Sequence, residues 1–191
     1  MKELSLYKIR DTALESGRSV FSPQQLANLT GKPRAISTVY ASRLVEKGLA
    51  WKLARGKICF EMDEFIIASQ FIEPSYISLG SALLFHGIIG QVRKNIECVT
   101  TRNSLKFKKL GIEYHRISPQ LFFGFRKHPK GRSYAMVAEP EKAVLDAVYL
   151  NLFPEKSLAE LAQKLDAQKL REYAQRFGRG RKKLMRLVGN D

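Results

Sequence analysis

The sequence predicts an α+β protein made of two domains and a C-terminal extension, and three observations indicate this class. Before residue 70, short amphipathic helical segments precede a pair of β-prone runs. Over residues 71–153, a helical segment is followed by several β-prone runs and a further helical segment. From residue 154 onward the pattern is helical and ends in a basic tail. We therefore predict domains at residues 1–70 and 71–153 and a helical extension at 154–191.

The charge of the chain points to a polyanionic partner. The 191 residues hold 33 Lys and Arg against 18 Asp and Glu, a net charge of +15. Three blocks carry the surplus: residues 1–60 with 11 basic and 4 acidic groups, residues 91–137 with 11 and 2, and residues 176–191 with 6 and 1. Solubility alone does not require such clustering, so we expect three basic surfaces and nucleic acid as the partner.

Several other classes are disfavoured. No run approaches the roughly 20 apolar residues that cross a bilayer, and the polar opening Met1-Lys2-Glu3-Leu4 is unlike a signal peptide. Cys59 and Cys98 lack CxxC spacing and a neighbouring His cluster, so we expect buried thiols in strands and no metal. Nucleotide-binding, HExxH and GxSxG motifs are absent from the sequence. We expect a cytoplasmic protein without enzymatic activity, cofactor or membrane partner; a basic nuclease is the less favoured alternative.

The first domain opens with two predicted helices. Residues 3–16 have apolar residues at roughly helical spacing. Ser22 is a favoured N-cap, Pro23 suits the first helical position, and Gln25 completes a capping box for the second helix. Gly31 supplies the left-handed conformation of a tight turn, so this helix ends just before it.

A third helix and a hairpin complete the domain. The helix is predicted over residues 34–47 and ends at Gly48, a favoured C-terminal cap. The β-prone runs 49–54 and 57–60 are joined by Arg55-Gly56 as a basic hairpin. Two short helices joined by a Gly-containing turn and followed by a basic hairpin are typical of a winged helix-turn-helix.

In a winged helix the second helix of the motif enters the major groove, and the hairpin contacts phosphates or the minor groove. The residues of that helix predicted to face the core are Ile36, Val39, Tyr40 and Leu44. Those predicted to lie mostly on the opposite face are Arg34, Ser37, Thr38, Ala41 and Ser42. Base-edge contacts are assigned to Arg34, Ser37 and Thr38. Phosphate contacts are assigned to Lys32, Arg43, Arg55 and Lys57. The alternative is that these are solvated charges on a module that binds protein.

The second domain is predicted to begin and end with helices. The helices are predicted at residues 78–87 and 139–150, with strands at 96–100, 112–117, 121–125 and 134–137. In the extension, residues 157–177 are predicted as one helix with an apolar stripe. The basic run that follows, Gly178-Arg179-Gly180-Arg181-Lys182-Lys183, is interpreted as adding non-specific DNA affinity, although packing of the end of the chain on the core is an alternative.

The motifs of the second domain carry a family resemblance. They are the runs Pro74-Ser75-Tyr76-Ile77-Ser78-Leu79, Ala82-Leu83-Leu84-Phe85-His86-Gly87, Val99-Thr100-Thr101-Arg102, Phe122-Phe123-Gly124 and Ala138-Glu139-Pro140-Glu141-Lys142-Ala143-Val144-Leu145-Asp146. Over roughly residues 1–150 the chain resembles the AbiEi-type abortive-infection antitoxin and transcriptional-regulator family of type IV toxin–antitoxin systems.

The resemblance implies a two-part repressor and antitoxin. The winged helix would bind inverted repeats in its own promoter on double-stranded DNA. The second domain would counteract a nucleotidyltransferase-like toxin in abortive phage infection, without a stable complex. The motif residues that would matter are Tyr76, Ser78, His86, Glu141, Lys142 and Asp146. From the residues alone, His86 is interpreted as a helix-end histidine on a backbone carbonyl, and Lys142 and Asp146 as partners one helical turn apart. A plain winged-helix repressor is the alternative.

The middle basic block suggests a second DNA surface. Its members are Arg93, Lys94, Arg102, Lys106, Lys108, Lys109, Arg126, Lys127 and Arg132. Their density exceeds what a solvated face needs, because like charges repel one another. A purely solubilising role is the alternative.

Overall fold

The computed structural model describes residues 5–91 and 94–180. The chain is mixed α+β, as predicted, and forms two compact units. The first unit comprises the described residues up to Phe71 together with residues 128–135, and the second comprises residues 72–127 and the described residues from 136 onward. The described part of the predicted extension, residues 154–180, belongs to the second unit.

The first unit contains four helices and a three-stranded sheet. The helices are α1 (Leu6–Glu15), α2 (Pro23–Thr30), α3 (Arg34–Glu46) and α4 (Glu64–Phe71). The strands are β1 (Val20–Phe21), β2 (Trp51–Ala54) and β3 (Lys57–Cys59). They pair antiparallel in the order β1-β3-β2, so the predicted hairpin forms and gains a third strand that was not predicted.

Local signals set the start and end of α2. The Ser22 side chain accepts from the Gln25 backbone N–H at 3.2 Å, and the Gln25 side chain accepts from the Ser22 N–H at 2.8 Å. Gly31 ends the helix in the left-handed conformation, with a φ of 64°. The capping box and the turn glycine are both confirmed.

One amide side chain holds distant parts of the first unit together. Gln70 is fully buried. Its Oε1 accepts from the backbone N–H groups of Ser19 and Val20 at 3.0 and 3.1 Å. Its Nε2 donates to Ser133 Oγ at 3.0 Å and to the Tyr134 carbonyl at 2.9 Å. All four hydrogen-bonding positions of the amide are therefore occupied, as a buried amide requires.

The second unit holds most of a six-stranded mixed sheet in the order β6-β7-β5-β4-β9-β8, whose residues 128–135, in β8, β9 and the turn between them, are counted with the first unit. Its strands are β4 (Ser75–Ile77), β5 (Ile96–Thr100), β6 (Leu105–Phe107), β7 (Ile112–Arg116), β8 (Phe125–Lys130) and β9 (Ser133–Ala138). Its helices are α5 (Leu79–Phe85), α6 (Pro140–Tyr149), α7 (Glu155–Ala162) and α8 (Ala167–Ala174). Strand β5 pairs parallel with β7, and β4 pairs antiparallel with β5.

Two predicted elements of the second unit are wrong. Residues 121–125 do not form a strand: a 3₁₀ turn ends at Leu121, and β8 begins at Phe125. Strand β8 escaped prediction because it contains Pro129, which edge strands such as β8 tolerate. The single helix predicted over residues 157–177 is interrupted, because the Asp166 side chain accepts from Lys169 N–H at 3.1 Å and starts α8 as a new helix.

Neither Cys59 nor Cys98 forms a disulfide, and both are buried in strands, as predicted. Burial raises the pKa of the Cys59 thiol to about 11, which keeps it protonated and unreactive at neutral pH. Among the helices of the described ranges, none is long and apolar enough to cross a membrane.

Replacing Gln70 by Leu is expected to destabilise the first unit by about 3 kcal/mol, because it removes the acceptor of the buried Ser19 and Val20 backbone N–H groups. The protein's single tryptophan, Trp51, lies in this unit, so its fluorescence during urea unfolding measures the change. The exposed Gln24→Leu serves as the matched control and should shift stability by less than about 0.5 kcal/mol. Equal unfolding midpoints for the two variants would contradict the role of Gln70.

Candidate nucleic-acid interface

A groove of about 370 Å³ lies between α3 and the β2–β3 hairpin of the first unit. Helix α3 contributes the hydroxyl side chains of Thr38 and Ser42. The hairpin contributes three cationic side chains, Lys52, Arg55 and Lys57. Polar hydrogen-bonding groups on one wall and positive charge on the other can together hold an anionic polymer.

The face of α3 that points outward differs from the prediction. Ile36 and Val39 were expected in the core but are 38% and 48% exposed, whereas Ser37 is fully buried and Ala41 is nearly so. The buried stripe is Ser37, Tyr40, Ala41 and Leu44, at i, i+3, i+4 and i+7. The prediction that Ser37 contacts base edges is therefore wrong, because its side chain is buried.

This error has a physical cause. Apolar residues occur on every side of α3, so two neighbouring stripes fit helical spacing. One stripe holds the β-branched Ile36 and Val39 but continues to Arg43, a charge that a core does not accept. The other reaches the fully buried Leu44 and requires a small residue seven positions earlier, at Ser37. Steps of three, four and seven residues back from Leu44 lead to Ala41, Tyr40 and Ser37, which form the buried face of α3.

The other two predicted base-contacting residues are exposed. Arg34 is the first residue of α3, and Thr38 follows one turn later. Thr38 Oγ1 donates to the Arg34 carbonyl at 2.9 Å, so its hydroxyl hydrogen is already used within the helix. What Thr38 can still offer a partner is an acceptor lone pair and a methyl group.

The predicted phosphate-contacting residues do not all meet at the groove. Arg55 lies exposed at the hairpin turn and lines the groove. Lys57 is half-buried; its ammonium donates to the Phe71 carbonyl and lies 5.1 Å from the centre of the Phe71 ring. Lys57 therefore helps to hold the first unit together and also lines the groove, and its assignment as a phosphate contact stays a prediction.

Four further residues lie in or near the groove. Lys32 is half-buried in the turn before α3, and Arg43 is exposed on α3, but neither belongs to the lining of the groove. Lys52, which the sequence analysis missed, lines it from β2. Its position in a strand next to the basic turn was the signal that could have identified it. Glu46 also lines the groove and lowers the positive potential at one end.

The basic residues that were predicted to form a second DNA surface do not lie on a single surface. Lys106, Lys108 and Lys109 lie in β6 and the turn after it, whereas Arg126 and Lys127 lie in β8. Strands β6 and β8 are the two opposite edges of the sheet, about 24 Å apart at five strand spacings. The prediction of a single patch was wrong because strand order, which sequence proximity does not reveal, separates its members.

The remaining members of that set are scattered or already paired. Lys94 and Arg102 are exposed in the second unit, Arg132 is exposed in the first, and Arg93 lies outside the described residues, as does the basic tail from Arg181 onward. Lys106 pairs with Glu113 at 2.7 Å, and its hydrogen bond is the main reason that the pKa of Glu113 is lowered. Arg126 pairs with Glu139 at 2.6 Å.

The motif residues of the second unit meet at a buried carboxylate. Asp146 in α6 accepts from Tyr76 Oη at 3.0 Å and from Ser78 Oγ at 2.8 Å. Lys142, one helical turn earlier, forms an ion pair with the other oxygen, so the predicted pairing is confirmed. All four residues are fully buried. Burial raises the pKa of Asp146 and lowers that of Lys142, and the pairing of the two opposes both shifts.

Aromatic rings surround the Lys142 ammonium. It lies 5.5 Å from the centre of the Tyr76 ring and 5.1 Å from the centres of the Phe123 and Phe177 rings. Ring faces attract a cation, and this attraction offsets part of the lost hydration. Phe123 belongs to the Phe-Phe-Gly motif, whereas the contribution of Phe177 from the extension was not predicted.

His86 and Glu141 have other partners. His86 Nε2 lies 2.9 Å from the Ala138 carbonyl, so its interpretation as a helix-end histidine on a backbone carbonyl is confirmed. Glu141 pairs with Lys169 of α8 at 3.2 Å, and Glu139 pairs with the same lysine at 3.3 Å. Burial alone would raise the pKa of Glu139, but the hydrogen bond from Tyr173 and the Lys169 charge lower it below its ordinary value.

No model of a known protein family matches the chain, and no curated protein matches it either. We therefore infer function from the residues, their geometry and the motif resemblance.

Removing one charge of the buried pair is expected to cost about 3–5 kcal/mol, because the other charge is left unpaired in the interior. Lys142→Met and Asp146→Asn should each show this loss in urea unfolding followed by far-ultraviolet circular dichroism. The double variant should recover most of it, because the Asn oxygen still accepts from Tyr76 and Ser78.

The partly exposed Lys106–Glu113 pair provides the matched control. Lys106→Met should cost no more than about 1 kcal/mol. Strictly additive losses in the Lys142 and Asp146 double variant would show that the pair does not act as a unit.

Proposed function

We propose that the chain is a DNA-binding transcriptional autorepressor whose first unit is a winged helix. The observation that carries the proposal is the groove in which Thr38 and Ser42 of α3 lie opposite Lys52 and Arg55 of the hairpin. In winged helices the helix supplies contacts to bases and the hairpin supplies contacts to the backbone beside them. The operator would be a pair of inverted repeats in the protein's own promoter, and the protein would act in the cytoplasm.

The distribution of charge supports DNA over a protein partner. The first 60 residues carry 11 basic and 4 acidic groups, and several of the basic groups flank α3 or lie in the hairpin. Arg34 lies at the N-terminus of α3, where the positive end of the helix dipole also favours a phosphate. A protein partner would require an acidic surface of matching shape, whereas every DNA duplex offers regularly spaced phosphates.

Lys52→Ala and Arg55→Ala are each expected to weaken binding to the promoter fragment and to lower the slope of log affinity against log salt by about 1. Fluorescence anisotropy over a salt titration measures both quantities. Lys8→Ala removes an exposed cation from α1 and is the matched control. If wild-type protein ignores duplex DNA even at low salt, the proposal fails; if Lys8→Ala behaves like Arg55→Ala, the groove is not the binding surface.

We further propose that the second unit counteracts a nucleotidyltransferase-like toxin, as the AbiEi resemblance implies. What supports this is the convergence of motif residues far apart in sequence: Tyr76, Ser78, Lys142 and Asp146 form one hydrogen-bonded cluster. Motif residues that bond to one another in the interior support the proposal, because a fold common to the family would need to keep them. This proposal assigns no catalytic step to the chain.

Rescue of growth should be separable from repression. The gene next to this one is expected to encode the toxin. With that gene expressed from an unrelated promoter, wild-type protein should restore growth, and Lys52→Ala/Arg55→Ala should restore it equally while failing to repress its own promoter. Growth curves and a promoter reporter measure the two effects. The alternative, a plain winged-helix repressor, predicts that neither protein restores growth.

A further inference from the structure

The outward face of α3 carries a stripe of small and apolar side chains. Ala35, Val39 and Ser42 follow each other at i, i+4 and i+7 and are all exposed. Val39 is 48% exposed and is the largest side chain of the three. Thr38 and Ser42, beside it, line the groove. The uncharged stripe of Ala35, Val39 and Ser42 therefore lies beside the groove that Lys52 and Arg55 line.

Folding alone does not favour valine at this position. A β-branched side chain loses rotamer freedom in a helix, so Ala, Lys, Glu or Gln would form the helix better at an exposed site. An exposed valine also keeps apolar area in contact with water. A ligand that buries the Val39 isopropyl group would give the residue a role that solubility and helix formation do not.

The major groove of DNA offers an apolar group that suits this stripe. The 5-methyl of thymine is the apolar feature among the base edges there, and short side chains on the helix allow the close approach that contact requires. Thr38 adds an acceptor lone pair for an adenine or cytosine amino group, because its own hydrogen is bonded to the Arg34 carbonyl. The apolar stripe and the Thr38 acceptor beside it together favour an A·T pair.

We propose that Val39 contacts the 5-methyl group of thymine and thereby specifies an A·T pair at the centre of each half-site. The inference rests on the proposed DNA binding and names the base chemistry that α3 recognises. Ile36, 38% exposed and lying 60° further around the helix from Val39, away from Ser42, takes no part.

A second copy of the chain is a less suitable occupant of this face. In a twofold contact the same patch meets itself, so the cations Lys52 and Arg55 that line the adjoining groove would approach their own counterparts. Such like charges repel, whereas the phosphates on either side of a major groove complement them.

The test begins with selection of duplexes by the full-length protein from a random library of about 20 base pairs, room for two half-sites. The enriched duplex is then synthesised with thymine or with uracil, which lacks the methyl group but keeps every hydrogen-bonding edge. Wild-type affinity should fall about 4-fold for each contacted thymine replaced by uracil. Val39→Ala should bind both duplexes with equal affinity, and Ile36→Ala should retain the wild-type discrimination.

Each other outcome has a distinct meaning. If no duplex is enriched and none binds at low salt, the proposed DNA binding itself fails. If an enriched duplex binds equally well with thymine and uracil, or discrimination is lost in Ile36→Ala rather than Val39→Ala, DNA binding stands and the thymine contact is overturned. If Val39→Ala changes the mass in light scattering and leaves discrimination intact, the face is a contact between copies and the inference is wrong.

Discussion

The second unit depends on an ion pair that has been removed from water. Lys142 and Asp146 are fully buried, and the desolvation of two charges is offset only when every remaining donor and acceptor is satisfied. Tyr76 and Ser78 satisfy Asp146, and aromatic rings surround the lysine. Because these partners come from β4, the segment after it and α6, the pair fixes the helix against the middle of the sheet.

The first unit is held together by a neutral side chain instead of a buried ion pair. A neutral amide, Gln70, joins backbone groups of the first strand to residues 133 and 134 through four hydrogen bonds. Lys52 and Arg55 of this unit are exposed and line the groove. Both units therefore contain a buried polar brace, which is an ion pair in the second unit and a neutral amide in the first.

Features that depend on a few consecutive residues could be predicted, and features that depend on distant packing could not. The capping box at Ser22 and the turn at Gly31 are local, so the sequence specifies them directly. The buried position of Ser37 and the exposed position of Val39 depend on how α3 packs in its unit, and apolar residues on all sides of that helix hide the answer. Strand order is equally non-local, so one basic block in the sequence became two opposite edges of a sheet.

The eight residues 128–135 have a practical consequence for dissecting the protein. They belong to the first unit although more than fifty residues separate them from the rest of it. A fragment ending at Phe71 would lose the hydroxyl and carbonyl that receive the Gln70 amide hydrogens, and also Lys130, which pairs with Asp63 at 2.9 Å. The isolated N-terminal fragment would therefore be less stable than the same unit in the whole chain. Supplying residues 128–135 as a separate peptide, or joining them to the fragment through a short linker, would restore the missing contacts.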